Sequence, residues 1–395
     1  MAMRIAMIHL TGGSMSGGYQ VYLQNILPRL AGRSEIEAIL CASPKTLSLA
    51  DRFSRLPKVT FIPCSPFRPM YHRPDMGLHD AIAAFSPDII FIPVERYLDC
   101  GNFPLVTMVQ NMGPMVSVPG NPVTERIRYA VQRYEAKLAT RNAAHVIVPT
   151  EFVHDFLARR WGIPPERMSV IHYGTNIPIH EDTFQRPALI PPVWKGNFIF
   201  TAGSIEPYRG LDDLFRAFFM IRDRSVAGIA IAGEARRNMI SYQKKLQDWV
   251  ARHGLTERIL WVGHLDAPEM SWCYRNSRAF AMTSRVESLS IIGLEALAHG
   301  CVCIAADNPP LPEIFESAAL YYTPYDADDL AKTMEKVLQW DQNQTEQSSL
   351  YARNRARTFS WDTNVAMLIE KFQEVAAHKK SPGRRPGNRS EVAGY

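Results

Sequence analysis

The chain has 395 residues, 46% hydrophobic and 21% charged, so it can bury a large core and has the length for two domains rather than one. Its formal net charge is +5, but the tail from Lys379 to Tyr395 sets five basic residues against Glu391 and leaves the remainder at only +1. A nearly neutral body excludes general nucleic-acid binding. The tail, rich in Pro, Gly and Arg and without apolar periodicity, reads as disordered, with attraction to anionic lipid as the sharper alternative. The first apolar run, Ile5 to Leu10, is short and gives way to Thr11-Gly12-Gly13, so it reads as a strand and not as a signal peptide or membrane span. Six cysteines, at 41, 64, 100, 273, 301 and 303, form no CxxC and no zinc spacing; they read as reduced core residues of a cytosolic protein. Cys301 and Cys303 share one strand face, which permits a metal or redox role, but small buried hydrophobes are the preferred reading.

In chain order, short apolar runs alternate with helix-like segments: Arg4 to Leu10, Ile36 to Cys41, Val59 to Cys64, Asp88 to Pro93, Leu105 to Gln110, His145 to Pro149 and Met168 to His172. That alternation predicts a parallel α/β sheet. After the first strand, TGGSMSGG leads into a helix beginning near Tyr19; its Gly17-Gly18 pair would let backbone approach a phosphate or sugar, a flexible turn being the alternative. Asn111 is placed to hydrogen-bond a ligand or to form a turn. The segment Thr124 to Arg141 has Ile127, Val131, Tyr134 and Leu138 at helical spacing, with basic residues outside that stripe. The expectation is that the stripe packs on the sheet and the basic face is solvated, contact with an anionic membrane or a lipid-linked phosphate being the alternative.

Between Ile177 and Lys195 periodicity disappears and prolines accumulate, which marks a connection between domains. A second set of strand and helix units follows from Asn197, including Gly228 to Gly233 and Ile259 to Gly263. Arg209, just before Gly210 and a helix, is the residue there with obvious chemistry; a solvated surface residue is the plain alternative. The stretch Arg278 to Ala306 reads as strand, loop, apolar helix and buried strand. Its helix carries Glu295, and Glu287 sits in the preceding loop, so both acids can face the crevice at a helix N-terminus that favours phosphate. Two acids beside an anion site suggest a nucleotide sugar; the plain alternative is a core ion pair for Glu295 and a solvated Glu287. Phe359-Ser360-Trp361 begins a final helix to about His378, and Gln339 to Ser349 is a polar patch.

The pair Glu287 and Glu295, seven residues between them, followed by Ala298-His299-Gly300, resembles the donor-binding element of retaining glycosyltransferase family 4. The resemblance covers roughly the first 378 residues. It implies a GT-B fold: two Rossmann-like parallel-sheet domains facing across a cleft, with the C-terminal helix crossing back. The expected division is 1–178 for the acceptor side, 179–196 for the linker, 197–358 for the donor side, 359–378 for the crossover helix and 379–395 for the tail. Further implications are that Glu287 meets the donor sugar, Glu295 meets the ribose, and backbone at Ser288, Leu289 and Ser290 receives the diphosphate with Arg209. Gly17 and Gly18 would face the donor phosphate across the cleft, and Gly263-His264 would lie at the base. The chain departs from the family pattern twice. Ser204, after Gly203, replaces a basic residue, as in family members that carry Gly-Ser-Ile-Glu-Pro, and Gln110 replaces a His near the acceptor, which removes a titratable group.

The function implied is transfer of a sugar from a nucleotide-diphosphate donor to an acceptor hydroxyl with retention, in bacterial cell-surface polysaccharide or glycolipid synthesis. The implied scheme needs no metal, and no DxD-like pair of acids stands in a suitable loop. Expected partners are the donor and a glycan or glycolipid acceptor; expected location is the cytoplasm, with peripheral membrane contact as an extension. A nucleotide-sugar-binding scaffold without transfer activity is the alternative class. A nicotinamide-dependent oxidoreductase ranks last, since no GxGxxG follows a strand.

Overall fold

The computed structural model describes residues 2–12, 15–53, 55–116, 119–178, 183–221 and 225–380. The expectations for the loop at 13 and 14, for residues 179–182 of the linker and for 381–395 of the tail therefore lie outside the described residues. The first domain runs β1 (Met3–Ile8), α1 (Gly17–Gly32), β2 (Ile36–Pro44), α2 (Leu49–Arg52), β3 (Val59–Cys64), α3 (Met76–Phe85), β4 (Ile89–Ile92), β5 (Leu105–Met108), α4 (Val123–Asn142), β6 (His145–Val148), α5 (Glu151–Trp161) and β7 (Met168–Val170). The second runs β8 (Phe198–Ala202), α6 (Leu211–Met220), β9 (Gly228–Ala232), α7 (Ile240–Arg252), β10 (Ile259–Gly263), α8 (Ala267–Asn276), β11 (Ala279–Met282) and α9 (Ile291–Ala298). It continues through β12 (Cys303–Ala306), α10 (Leu311–Phe315), β13 (Ala319–Tyr322), α11 (Ala327–Leu338), α12 (Gln342–Ala356) and α13 (Trp361–Lys380).

Both sheets are parallel, in the orders β3-β2-β1-β4-β5-β6-β7 and β10-β9-β8-β11-β12-β13. Their central strands are buried along their whole length, because helices cover both faces, and that is why the runs read as continuously apolar. In each sheet the chain reverses direction of growth at one point, between β1 and β4 and between β8 and β11. A crevice opens beyond the strand ends at such a point. Helix α13 returns to the first domain: Phe372 lies 5.0 Å from Phe91 of β4, and Trp361 stacks on Tyr173.

Three details differ from the sequence reading. Strand β13 was not foreseen, since Ala319–Tyr322 is only four residues and partly exposed at the sheet edge. The polar patch is helix α12, whose Asp341 N-cap and Gln344 form a capping box, so its start signal outweighs the missing apolar stripe. In α4 half of the stripe is turned outward: Ile127 and Tyr134 are 62% and 50% exposed and Val131 and Leu138 partly buried, while Glu125 and Glu135 are buried. Each buried acid has partners that make this orientation tenable. Glu125 pairs with Arg128 and accepts from Asn238 of the second domain at 2.8 Å; Glu135 accepts from Met70 N at 2.8 Å and meets His72 Nε2 at 2.9 Å. No helix among the described residues is long and apolar enough to cross a membrane.

Candidate active site

The loops at the switch point of the second sheet, Gly203 to Gly210 after β8 and Thr283 to Ser290 after β11, bring Arg209 and Glu287 together. Arg209 Nη1 donates to Glu287 Oε1 at 2.5 Å and to Ser284 Oγ at 3.1 Å, and its Cζ sits 4.9 Å over the Tyr208 ring. Its Nε is buried without a hydrogen-bond partner. Burial alone would lower the Arg209 pKa, but the Glu287 carboxylate, helped by Tyr208 and Glu206, outweighs it and raises the pKa further. The guanidinium is therefore a permanent cation, with one donor nitrogen left over. Gly203 allows it to lie against the backbone: a Cβ there would stand 2.9 Å from Arg209 Cζ, at a φ of 122° that side chains rarely adopt. Ser204, where a second cation is usual in the resembling family, pairs its hydroxyl with Tyr208 at 3.1 Å. Arg285, close by, does not replace it, because Asp212 and Asp213 hold it at 3.0 and 2.7 Å.

Helix α9 begins beside this pair. Ser290 is its N-cap, accepting from Gly293 N at 3.2 Å from a left-handed backbone with φ 93°, and Leu289 is fully buried. Ser290 is a strained residue at the entrance to α9, of a kind that costs about 1–3 kcal/mol. Glu295, in the second turn, accepts from the Tyr274 hydroxyl at 3.1 Å; burial raises its pKa to about 7, the Tyr274 hydrogen bond pulling the other way. Gly263, φ 71°, ends β10, and its carbonyl accepts from Gly233 N at 2.7 Å. His264 is exposed, and the cap of α8 is Asp266 and not this histidine.

The opposite wall comes from the first domain. Gly17 and Gly18 form the first turn of α1 and not a loop, and a Cβ on Gly18 would sit 3.6 Å from Ile291 of α9. Gln110 is not free to meet a ligand through its side chain: Nε2 donates to Pro93 O at 2.7 Å, and its backbone N–H to Glu95 Oε2 at 3.0 Å. Its carbonyl accepts from Ser288 Oγ at 2.6 Å, across the cleft. Asn111 forms a turn, its Oδ1 accepting from Gly113 N at 2.9 Å. His9, fully buried with Nδ1 against the Tyr19 hydroxyl, has its pKa lowered to about 3 by burial.

The domains are stitched at two more points. Thr150 Oγ1 donates to Ser288 O at 2.9 Å, and the Glu313 carboxylate caps α5 by accepting from Glu151 N and Phe152 N at 2.8 and 3.1 Å. Sequence reading missed Tyr274, Ser284, Thr150 and Glu95. Thr150 carried a signal, an N-cap residue directly after a strand. Tyr274 carried none, because its partner lies 21 residues away on another helix.

Residues 16–177 match the model of "Glycosyltransferase Family 4" and residues 190–355 that of "Glycosyl transferases group 1". The chain is 22% identical to D-inositol 3-phosphate glycosyltransferase of Streptomyces bingchenggensis, over 93% of this chain and 87% of that one. It is 28% identical to the lipopolysaccharide core biosynthesis mannosyltransferase LpsB of Rhizobium meliloti, over 47% of this chain and 49% of that one. HepE of Anabaena in complex with UDP superposes with a TM-score of 0.70 at 21% identity, covering 94% of this chain and all of that one. Sucrose-phosphate synthase of Thermosynechococcus elongatus superposes at 0.72 and 18% identity, covering 95% of this chain and all of that one. With both halves matched in order, and with two parallel-sheet domains meeting at facing switch points, the chain belongs to the group 1, family 4 glycosyltransferases of GT-B fold.

Proposed function

We infer that this glycosyltransferase moves a hexosyl unit from a nucleotide-diphosphate sugar to an acceptor hydroxyl with retention, in the synthesis of a cell-surface polysaccharide or glycolipid. The observation that carries the reading is one cluster: Arg209 with its unpartnered Nε, Glu287 beside it, and the N-terminus of α9, which bears Glu295 one turn further on and whose Ile291 lies against Gly18 of the first domain. Arg209 and the N–H groups of Ser288, Leu289 and Ser290 with the first turn of α9 would hold the leaving diphosphate. Glu287, oriented by Arg209, would accept hydrogen bonds from donor-sugar hydroxyls, and Glu295 from the ribose, with Gly263 and His264 beside the base. As the sugar–oxygen bond to the diphosphate breaks, an oxocarbenium-like centre forms. The acceptor hydroxyl attacks from the same face, and its proton passes to a phosphate oxygen. That scheme asks for neither a protein base nor a metal, which suits Gln110. The test is the anomeric configuration of the product by NMR with chelator present: an inverted product, or loss of turnover on chelation, sinks the scheme.

Ser204 and Gln110, at positions where the resembling family carries charged or titratable groups, favour a second reading, a nucleotide-sugar binder without transfer. Donor hydrolysis in the absence of any acceptor separates the two. Peripheral membrane contact is also proposed, on the exposed Val123, Ile127 and Tyr134 of α4 beside the exposed Arg126. Co-sedimentation with anionic vesicles is expected to drop several-fold in Ile127→Ser/Tyr134→Ser; equal sedimentation of both proteins would remove this surface from consideration.

A further inference from the structure

The first domain has a second concave site that the transfer chemistry described above does not use. Beyond the ends of β1, β3 and β4 the chain encloses a cavity of about 200 Å³, lined by Leu10, Phe67, Arg68, Tyr71, Arg73 and Leu98 among others. Its walls are fixed by contacts distant in sequence. Phe67 N donates to Thr11 O at 2.8 Å, and Asp99 N to His72 O at 2.7 Å. The buried Glu135 of α4 holds Met70 N and His72 from behind. The loop 65–75 is therefore a built wall and not a solvated excursion.

The charge on that wall is unbalanced. Arg68 and Arg73 are exposed at the cavity, and their guanidinium groups have no hydrogen bond or ion pair to any described residue. Behind them Arg96 stacks its guanidinium 4.9 Å over the Phe67 ring, and its Nη1 is buried with no hydrogen-bond partner. The acids nearby are committed elsewhere. Asp75 caps α3, its carboxylate accepting from Leu78 N at 2.8 Å and from Ser65 N at 2.7 Å, and it is held below the usual carboxylate range. Burial opposes that lowering, and the two backbone N–H groups with Ser65 exceed it. Asp99 accepts from Gly101 N at 3.1 Å, Glu95 from Gln110 N at 3.0 Å, and Glu135 is bonded to His72. Arg68 and Arg73 line the cavity and Arg96 lies against its Phe67 wall, facing one lining carboxylate, Asp75, whose two oxygens are taken by backbone N–H groups; the Phe67 and Tyr71 rings line it too. Planar guanidinium forks match phosphate oxygens, and aromatic faces match the apolar face of a sugar ring.

We propose that this cavity is the subsite for an anionic group on the acceptor, and that the acceptor is a phosphate ester. The proposal rests on the transferase reading and names its acceptor class. Phe67 is bonded to Thr11, six residues before the start of α1, and Gly18 in the first turn of that helix meets α9, so a molecule seated here extends towards the donor cluster. Arg68 and Arg73 bind the phosphate, Tyr71 and Phe67 flank it, and Arg96 supplies charge through the wall. A phosphate can belong to a soluble sugar phosphate or to a lipid-linked one, and the same guanidinium groups would read either.

The experiment is calorimetric titration of the full chain, saturated with UDP or GDP, in two arms. One uses glucose 6-phosphate against glucose. The other uses α-glucosyl decyl phosphate against decyl glucoside in neutral detergent. In at least one arm the phosphorylated probe is expected to bind more than tenfold tighter than its neutral partner. That preference is expected to fall by roughly 10- to 100-fold in Arg68→Ala/Arg73→Ala, from the loss of charge-assisted hydrogen bonds, and to return in part in Arg68→Lys/Arg73→Lys. The arm that responds identifies the source. No preference in either arm, or an unchanged preference in the alanine variant, overturns the proposal. Both arginines are exposed, so melting temperatures should match and a folding defect is detected directly. Donor binding and donor hydrolysis, read on the same samples, report the transferase reading separately: their absence in the unmodified protein would sink that reading, whatever the phosphate arms show.

Discussion

Arg209→Ala is expected to lower kcat by two to three orders of magnitude while changing the donor KM only a few-fold. The magnitude follows from the leaving group, since loss of a single donor aimed at charge developing in the transition state costs about 2.7–4 kcal/mol. With Ser204 neutral and Arg285 held by Asp212 and Asp213, Arg209 is the side-chain cation positioned there, so little remains to compensate for it. Arg209→Lys is expected to recover only part of the loss. A lysine keeps the charge but cannot reach Glu287 and Ser284 while presenting a further nitrogen to the phosphate. Donor hydrolysis and transfer rates with each variant make the measurement, and a kcat within threefold of the parent would displace Arg209 from the chemistry. Part of any stability change would come from Glu287, which is 12% exposed and would lose its ion-pair partner. Glu287→Gln in the same background separates that contribution through a double-mutant cycle.

Glu295→Ala is expected to weaken nucleotide-sugar binding by about 10- to 150-fold, the range for hydrogen bonds to a charged group, with a smaller effect on kcat. The raised pKa adds a signature that simple loss of packing cannot imitate. With a pKa of about 7, the free protein holds Glu295 about nine-tenths protonated at pH 6 and mostly ionised at pH 8. Ribose hydroxyls donate to the carboxylate, so they favour its ionised form, and the donor Kd should fall about tenfold from pH 6 to pH 8. Stability runs in the opposite sense. A carboxyl whose pKa is raised on folding contributes stability that is fully present below its unfolded value and is lost as pH rises through about 7. Glu295→Gln should remove both slopes. A donor Kd that stays flat with pH in the parent, or keeps its slope in the glutamine variant, would place the titrating group elsewhere.

Most of the architecture was legible because its signals are local. Alternating apolar runs and helix starts report backbone pattern and capping over a few residues, and parallel sheets covered on both faces make those runs continuous. Glu287 and Glu295 were legible for the same reason: they lie within one loop and one helix. The orientation of α4 was not, because Ile127 and Tyr134 of its apolar stripe face outward. Two carboxylates on the other face are satisfied by His72 and Met70, more than sixty positions upstream, and by Asn238, over a hundred downstream. No rule of amphipathicity weighs partners that distant.

The sequence by itself determined that this protein has two parallel α/β domains, and it singled out two acids and one arginine as candidates for its chemistry. Both depend on residue type and short-range spacing. Only the tertiary structure decided what those groups do to one another. It pairs Arg209 with Glu287 across 78 positions and buries Glu295 against Tyr274. It turns Gln110 and Ser288 into a clasp between domains and spends Glu313 on the first turn of α5. The physical reason is that the state of a charged or hydrogen-bonding group is set by desolvation and by partners within a few ångströms, and the fold alone brings those partners together.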